Sequence, residues 1–227
     1  MIANTAEELE KLLDKLDPAM YEKLIDEVKV YQAAIEREKA QVSFMEYVKM
    51  MWPGFVHGRH HALMAKKFEA IAKGEMKRVI INMPPRHTKS EFASYLLPSW
   101  FLGKFPDKKV IQASNTGDLA VNFGRKVRNL VDSEQYATVF PGVKLRQDSK
   151  AAGRWATNKN GEYFAIGVGG TVTGKGADLL IIDDPHSEQE AALAAGNPEI
   201  YQKVYEWYTS GPRQRLQPGG AIVIVMT

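Results

Sequence analysis

Cysteine is missing from all 227 residues, which excludes a disulfide framework and a thiolate zinc site and fits a reducing compartment. No run of about 18 apolar residues occurs, so no segment has the length of a membrane-spanning helix. The opening MIANTAEELEKLL is acidic and amphipathic, unlike a signal peptide. A strong net charge is missing too: 30 − 27 gives +3, too small to assign a partner. Charge is nevertheless uneven, because Lys104 to Lys175 holds twelve Lys/Arg against six Asp/Glu, a local +6. Such a stretch reads as an ordinary solvated surface or as a polyanion-facing side, and charge alone favours the first. Repeats and low-complexity linkers are absent as well. What remains is a chain with 44% hydrophobic residues, enough for one sizeable core and a small helical appendage.

The first third reads as helices. Thr5 to Leu16 carries a capping-box pair, Thr5 and Glu8, and a Leu9/Leu12/Leu13/Leu16 stripe. Asp17-Pro18 starts a second helix, with Asp as cap and Pro in the first turn. Ser43–Met51 is a third, broken by Trp52-Pro53-Gly54, and His60–Lys73 a fourth, closed by Gly74. From Arg78 the pattern changes. RVIINM (78–83), KVIQAS (109–114), YFAIGV (163–168), LLIID (179–183) and AIVIVM (221–226) are short apolar runs read as buried strands. Between them Glu91–Phe101, with Pro98 as a kink or early stop, Leu119–Val131 and Pro198–Thr209 read as helices. Strands that are apolar throughout and alternate with helices indicate a parallel sheet covered on both faces. The division expected is a helical segment over 1–43 and an α/β domain over 44–227. The chain stops at Thr227 directly after a strand expected to be central, which suggests a piece of a longer protein.

Two stretches compete as a phosphate loop. GGTVTGKG (169–176) has the glycines and the lysine, whereas MPPRHTKS (83–90) has Lys89-Ser90 but neither glycine. A phosphate loop works because backbone N–H groups and a helix N-terminus point at the anion, so it needs a strand before it and a helix after it. GGTVTGKG is followed by the strand ADLLIIDD and ends in Gly176, which has no hydroxyl for magnesium. MPPRHTKS leaves a strand and enters a helix. There Lys89 can reach the β- and γ-phosphates and Ser90 can ligate Mg²⁺. LLIIDDP (179–185) supplies the second half. An apolar strand ending in Asp183 and Asp184 has the Walker B form, one carboxylate for the magnesium shell and the next for the attacking water. The bland reading, an Asp-Pro turn at a strand end, loses once the strand is paired with Lys89-Ser90.

At this point the chain resembles the large terminase subunit of tailed bacteriophages, a DNA-packaging motor. PPRHTKS is similar to that family's deviant Walker A, Pro-Pro-Arg-His-Gly-Lys-Ser, with Thr88 in place of its glycine. ASNTGDLAVNFGRKVRNLV (113–131), FPGVKL, GVGGTVTGKGADLLIIDDP and GGAIVIVMT resemble further family segments in the same order. The resemblance runs from about Phe44 to Thr227. It implies a three-layer α/β P-loop NTPase (RecA-like/ASCE) with a mostly parallel central sheet and an N-terminal helical segment, the family's C-terminal nuclease domain being absent. It implies ATP and Mg²⁺ as cofactors and hydrolysis that drives double-stranded DNA into a procapsid. The implied partners are DNA, the portal protein and the small terminase subunit. Oligomeric state is left open between a working ring and an isolated monomer; the implied location is the host cytoplasm, with no membrane.

The roles follow. Pro84, Pro85, Arg86, His87, Thr88, Lys89 and Ser90 would wrap the phosphates. Lys89 would stabilise transition-state charge, Ser90 and Asp183 would hold Mg²⁺, and Asp184 would position the lytic water, with Glu188 as the alternative. Arg86 resembles the family's cis arginine; Arg125, Arg128 and Arg154 are candidates for an arginine supplied to a neighbouring subunit. The family's adenine pocket lies near Phe55 and the neighbouring histidines. His57, His60 and His61 share a helix face without a carboxylate in register, so no zinc is expected. His87 and His186 flank the two Walker segments. Met226-Thr227 resembles the start of the family's coupling motif, with Thr227 sensing the γ-phosphate. Two other readings remain: a helicase-type RecA-like core and a nucleotide-binding domain without turnover.

Overall fold

A computed structural model describes residues 17–227, and these fall into two compact units that divide at Lys39/Ala40. The expected helix over 5–16 lies outside the described residues. The first unit, as described, is the greater part of helix α1 (Pro18–Val42). It starts as its sequence dictates: the Ala19 N–H donates to Asp17 Oδ1 at 2.8 Å, and Pro18 fills the first turn.

The second unit is built on a seven-stranded sheet. Its strands are β1 (Arg78–Asn82), β2 (Lys109–Ser114), β3 (Leu145–Ala151), β4 (Arg154–Thr157), β5 (Glu162–Gly167), β6 (Ala177–Asp183) and β7 (Leu216–Met226). Their order across the sheet is β1-β7-β6-β2-β5-β4-β3. The five strands from β1 to β5 in that order run parallel, and β4 and β3 extend the far edge antiparallel. One strand, β7, stands between β1 and β6. This is a RecA-like strand order, with one strand between the strand that feeds the 83–90 loop and the strand that ends in Asp183.

Strand periodicity sorts the core onto two faces. Leu179 and Ile181 of β6 join one apolar cluster, and Leu180 and Ile182 join the other. The first cluster packs against α2 (Phe44–Met51), α3 (Arg59–Ala72), α4 (Leu97–Lys104), α5 (Gly117–Val131) and α6 (Glu134–Val139). Its centre is aromatic: Phe44 meets Phe68, Phe92 and Trp100 edge-on at 5.3–5.7 Å. The second face is covered by Val172 and by Trp207 and Tyr208 of α8 (Glu199–Ser210). A short helix, α7 (Glu188–Ala194), precedes it. The result is the three-layer, mostly parallel α/β fold that the sequence implied.

Several elements differ from expectation. The helix expected over 91–101 is composite: a π-helical turn, Glu91–Leu96, followed by α4, which runs on to Lys104. Pro98 does not stop it, because it sits in the first turn of α4, where a missing N–H costs little. The strands β3 and β4 and the helix α6 were not anticipated. LRQDSKA is polar and mostly exposed, as suits a sheet edge, and gives no apolar signal. The final strand begins at Leu216, not Ala221, and passes Gly219 at φ +84° where its register against β6 shifts.

Candidate nucleotide site

Asp183 ends β6 on the face that carries α2–α6, because it follows Leu179 and Ile181 at period two. The same face receives the helical segment that leaves the 83–90 loop, so Asp183 and that segment's hydroxyls meet. Ser90 Oγ donates to Asp183 Oδ1 at 3.0 Å, and Ser94 Oγ donates to Oδ2 at 2.7 Å. Ser94 and Ser90 lie four apart on one helical face, so the segment grips both carboxylate oxygens. Gln112 of β2 donates its side-chain amide to Ser94 Oγ at 3.1 Å. Burial pushes the Asp183 carboxyl up to about 6; the two serine hydroxyls and Lys89 oppose this, and Asp184 adds to it.

The loop's lysine converges on the next carboxylate. Lys89 Nζ lies 3.1 Å from Asp184 Oδ2 and donates to Thr227 Oγ1 at 2.9 Å. Asp184 Oδ1 in turn accepts the Thr227 N–H at 2.9 Å. Lys89, Asp184 and Thr227 therefore form one knot where the chain leaves β1, β6 and β7. The strand tips are tied by backbone as well: the Met83 N–H bonds the Met226 carbonyl and the Asp184 N–H the Val225 carbonyl. Thr227, Pro185, His186, Glu188, Asn115 and Tyr201 line a cleft of about 560 Å³ beside Asp184.

The 83–90 loop takes left-handed backbone without glycine. Arg86 and Thr88 both take φ +63°, and Asp184 takes +42°. Left-handed backbone is costly for side chains other than Gly, Asn and Asp, and most of all for a β-branched residue such as Thr88. The Phe92 N–H bonds the Thr88 carbonyl at 3.0 Å, so the helical hydrogen-bond ladder begins at the loop itself. Free N–H groups of that first turn are the feature an anion needs.

The competing loop is elsewhere. GGTVTGKG belongs to the 168–176 connection, which runs from the C-terminal end of β5 to the N-terminal end of β6. Val172 is buried in the second face, and Trp207 Nε1 donates to the Gly170 carbonyl at 2.8 Å. Lys175 reaches Glu162 at 3.3 Å, at the first residue of β5. A seven-residue strand is about 20 Å long, so Lys175 sits at the sheet edge opposite Lys89.

The remaining candidates divide. Pro84, Pro85 and His87 are exposed on the loop, and His87 Nδ1 is 2.9 Å from the Pro85 carbonyl. Arg86 is exposed and has no side-chain partner among the described residues. Glu188 is exposed in the first turn of α7 and is not part of the Lys89 knot, whereas Asp184 is. Arg125 bonds Asn122, and Arg128 bonds Asn129 and the Lys150 carbonyl on the outer side of α5; Arg154 is exposed on β4. His61 is buried with both ring nitrogens engaged, by the Gly58 N–H and by Thr88 Oγ1. That leaves no ring nitrogen of His61 for an adenine or a metal. Phe55 stacks among Trp52, His61 and Phe92 and is half-buried. Ser94 and Gln112 were not anticipated, nor was the contact of His61 with Thr88. Ser94 was visible as the residue four after Ser90, and Gln112 as the one polar side chain within KVIQAS that is not at a strand end.

The fold is a RecA-like, mostly parallel α/β architecture. A crystal structure of the HK97 bacteriophage large terminase is similar, with TM-score 0.47 and 12% identity over 76% of this chain. The chain spans 33% of that terminase's length. At that level the likeness carries no functional weight. No protein-family model and no curated protein matches the chain.

Proposed function

We propose that this chain is a Mg²⁺-dependent ATP hydrolase, the motor domain of a terminase-type DNA-packaging machine. The observation that supports it most directly is the meeting of Lys89, Ser90, Asp183 and Asp184 at the tips of β1 and β6. The donor set fits the cofactor. Ser90 Oγ and Asp183 Oδ1 are hard oxygens held side by side, as suits Mg²⁺, and Lys89 is a buried cation at a helix start, as suits a phosphate. When bound, Mg²⁺ would neutralise charge on the β- and γ-phosphate oxygens.

The chain's own residues do the rest. Lys89 exchanges its contact with Asp184 for the phosphates. Asp184, released, is an acceptor at the cleft mouth and orients the attacking water. Ser94 keeps Asp183 Oδ2 occupied, so Oδ1 faces Ser90. Thr227, bonded to both Lys89 and Asp184, responds to that exchange and passes it to β7. Arg86, exposed on the loop, is placed to turn onto a γ-phosphate. DNA is the polymer favoured by the basic side chains on α5 and the β3–β4 edge, among them Arg125, Arg128, Arg146, Lys150 and Arg154. A ring of copies, the portal, the small subunit and the host cytoplasm belong to this same reading.

The experiment is phosphate release from ATP by the purified chain, with and without Mg²⁺. The reading expects turnover that needs Mg²⁺ and disappears in Lys89→Ala. Nucleotide binding without turnover at high protein concentration would favour a non-hydrolysing domain instead.

A further inference from the structure

We propose that His61 is a positioning residue for the phosphate loop, holding by its imidazole the threonine that stands where such a loop ordinarily carries glycine. This rests on the nucleotide reading above.

A glycine at position 88 would take φ +63° freely; Thr88, branched at Cβ, does not. The strained backbone therefore needs a restraint from outside the loop, and the structure supplies it through the side chain. Thr88 Oγ1 lies 2.7 Å from His61 Nε2 and donates to the His87 carbonyl at 2.6 Å. The tautomer follows from the other ring nitrogen. The Gly58 N–H donates to His61 Nδ1 at 2.8 Å, so Nδ1 is an acceptor and Nε2 carries the hydrogen that Thr88 accepts. The neutral ring is what this pocket favours, since burial and the adjacent His60 and His57 hold the His61 pKa down at about 4.

The imidazole is itself immobile. It is 5% exposed, stacks on Phe92 at 4.7 Å and 24°, and meets Phe55 edge-on at 4.8 Å. Phe92 belongs to the π-helical turn just past the loop and bonds the Thr88 carbonyl. Thr88 is thus held by its side chain from α3 and by its carbonyl from the segment that follows. Lys89 is the next residue, so the direction of its backbone, and hence the reach of its ammonium to Asp184 and Thr227, depends on Thr88 staying left-handed. The His60 and His87 rings face each other at 5.9 Å nearby, but neither ring hydrogen-bonds Thr88.

The test uses five proteins: the parent chain, His61→Phe, His61→Gln, Thr88→Gly and the double variant of His61→Phe with Thr88→Gly. Phe keeps the stacking and deletes both nitrogens. The readouts are calorimetric affinity for a non-hydrolysable ATP analogue with Mg²⁺, and thermal unfolding. His61→Phe should weaken the analogue about tenfold, the worth of one buried hydrogen bond. In the Thr88→Gly background, taken at its own affinity, His61→Phe should cost nothing further, because glycine needs no clamp. His61→Gln, which offers an amide N–H near the place of Nε2, should retain most of the affinity. An equal loss in both backgrounds, or no loss in the first, would overturn the proposal. If the parent does not bind the analogue, the nucleotide reading fails instead. The clamp is then judged on melting temperature: His61→Phe must lower it further with Thr88 present than in the Thr88→Gly background, where only the Gly58 N–H loses its partner, and additive shifts refute it.

Discussion

Lys89 and Asp184 are joined across 3.1 Å, although their loops leave strands that are not neighbours, and the lysine side chain in that pair is only 8% exposed. An ammonium so little hydrated is stable only with an anion beside it. Without nucleotide that anion is Asp184. In the proposed reading the triphosphate would take over that charge and so free Asp184.

The two lysines of the competing loops should behave oppositely. Lys89→Ala should lower ATP turnover by at least about a hundredfold, since it deletes the cation that offsets transition-state charge. Lys175→Ala should leave turnover within about twofold and cost about 1 kcal/mol or less in stability, because it deletes one partly exposed ion pair. Phosphate-release rates and urea denaturation check both.

Asp184→Asn should separate binding from chemistry. Asn tolerates the φ of +42° found here, so the backbone should hold. Lys89 loses its competing anion, and ATP affinity should rise about three- to tenfold, while turnover falls about 10²- to 10³-fold for want of a base. Affinity and rate measured on the same preparation should move in opposite directions.

Ser94→Ala should raise the Mg²⁺ requirement. It leaves Asp183 Oδ2 without its 2.7 Å donor and Gln112 without the nearer of its two acceptors. The carboxylate can then turn away from Ser90, and the half-saturating Mg²⁺ concentration should increase about tenfold, with nucleotide affinity in EDTA unchanged. A Mg²⁺ titration of turnover checks it.

Acid should act through Asp183. Its folded pKa is raised to about 6 by burial, so without metal the folded state holds this proton more tightly than the unfolded state does. The group therefore costs stability as pH rises from about 4 towards 6, and the cost is constant above that. Mg²⁺ must displace the proton, so its apparent affinity should weaken about tenfold per pH unit below about 6 and level off above it. Mg²⁺ titrations from pH 5 to 8 should show that break, and saturating Mg²⁺ should move the acid limb of the rate profile lower.

The parallel core was legible because β2, β6 and β7 are apolar on both faces, a pattern only a covered sheet tolerates. What flanks each candidate loop was legible: helix after Ser90, strand after Gly176. The polar edge β3 was not, since its exposed residues carry no periodicity that distinguishes strand from loop. The π-helical turn was also hidden, because one extra residue in a helical turn leaves the apolar composition unchanged. The His61–Thr88 contact joins residues 27 apart in sequence, and no local spacing announces it.

A structure with Mg²⁺ and an ATP analogue tests the central claim most directly. The account predicts triphosphate at the start of the helical segment after Thr88, Lys89 transferred from Asp184 to its oxygens, and the metal on Ser90 and Asp183. Nucleotide lodged against the Gly174 turn, or bound with the Lys89–Asp184 pair intact and the metal elsewhere, would contradict it.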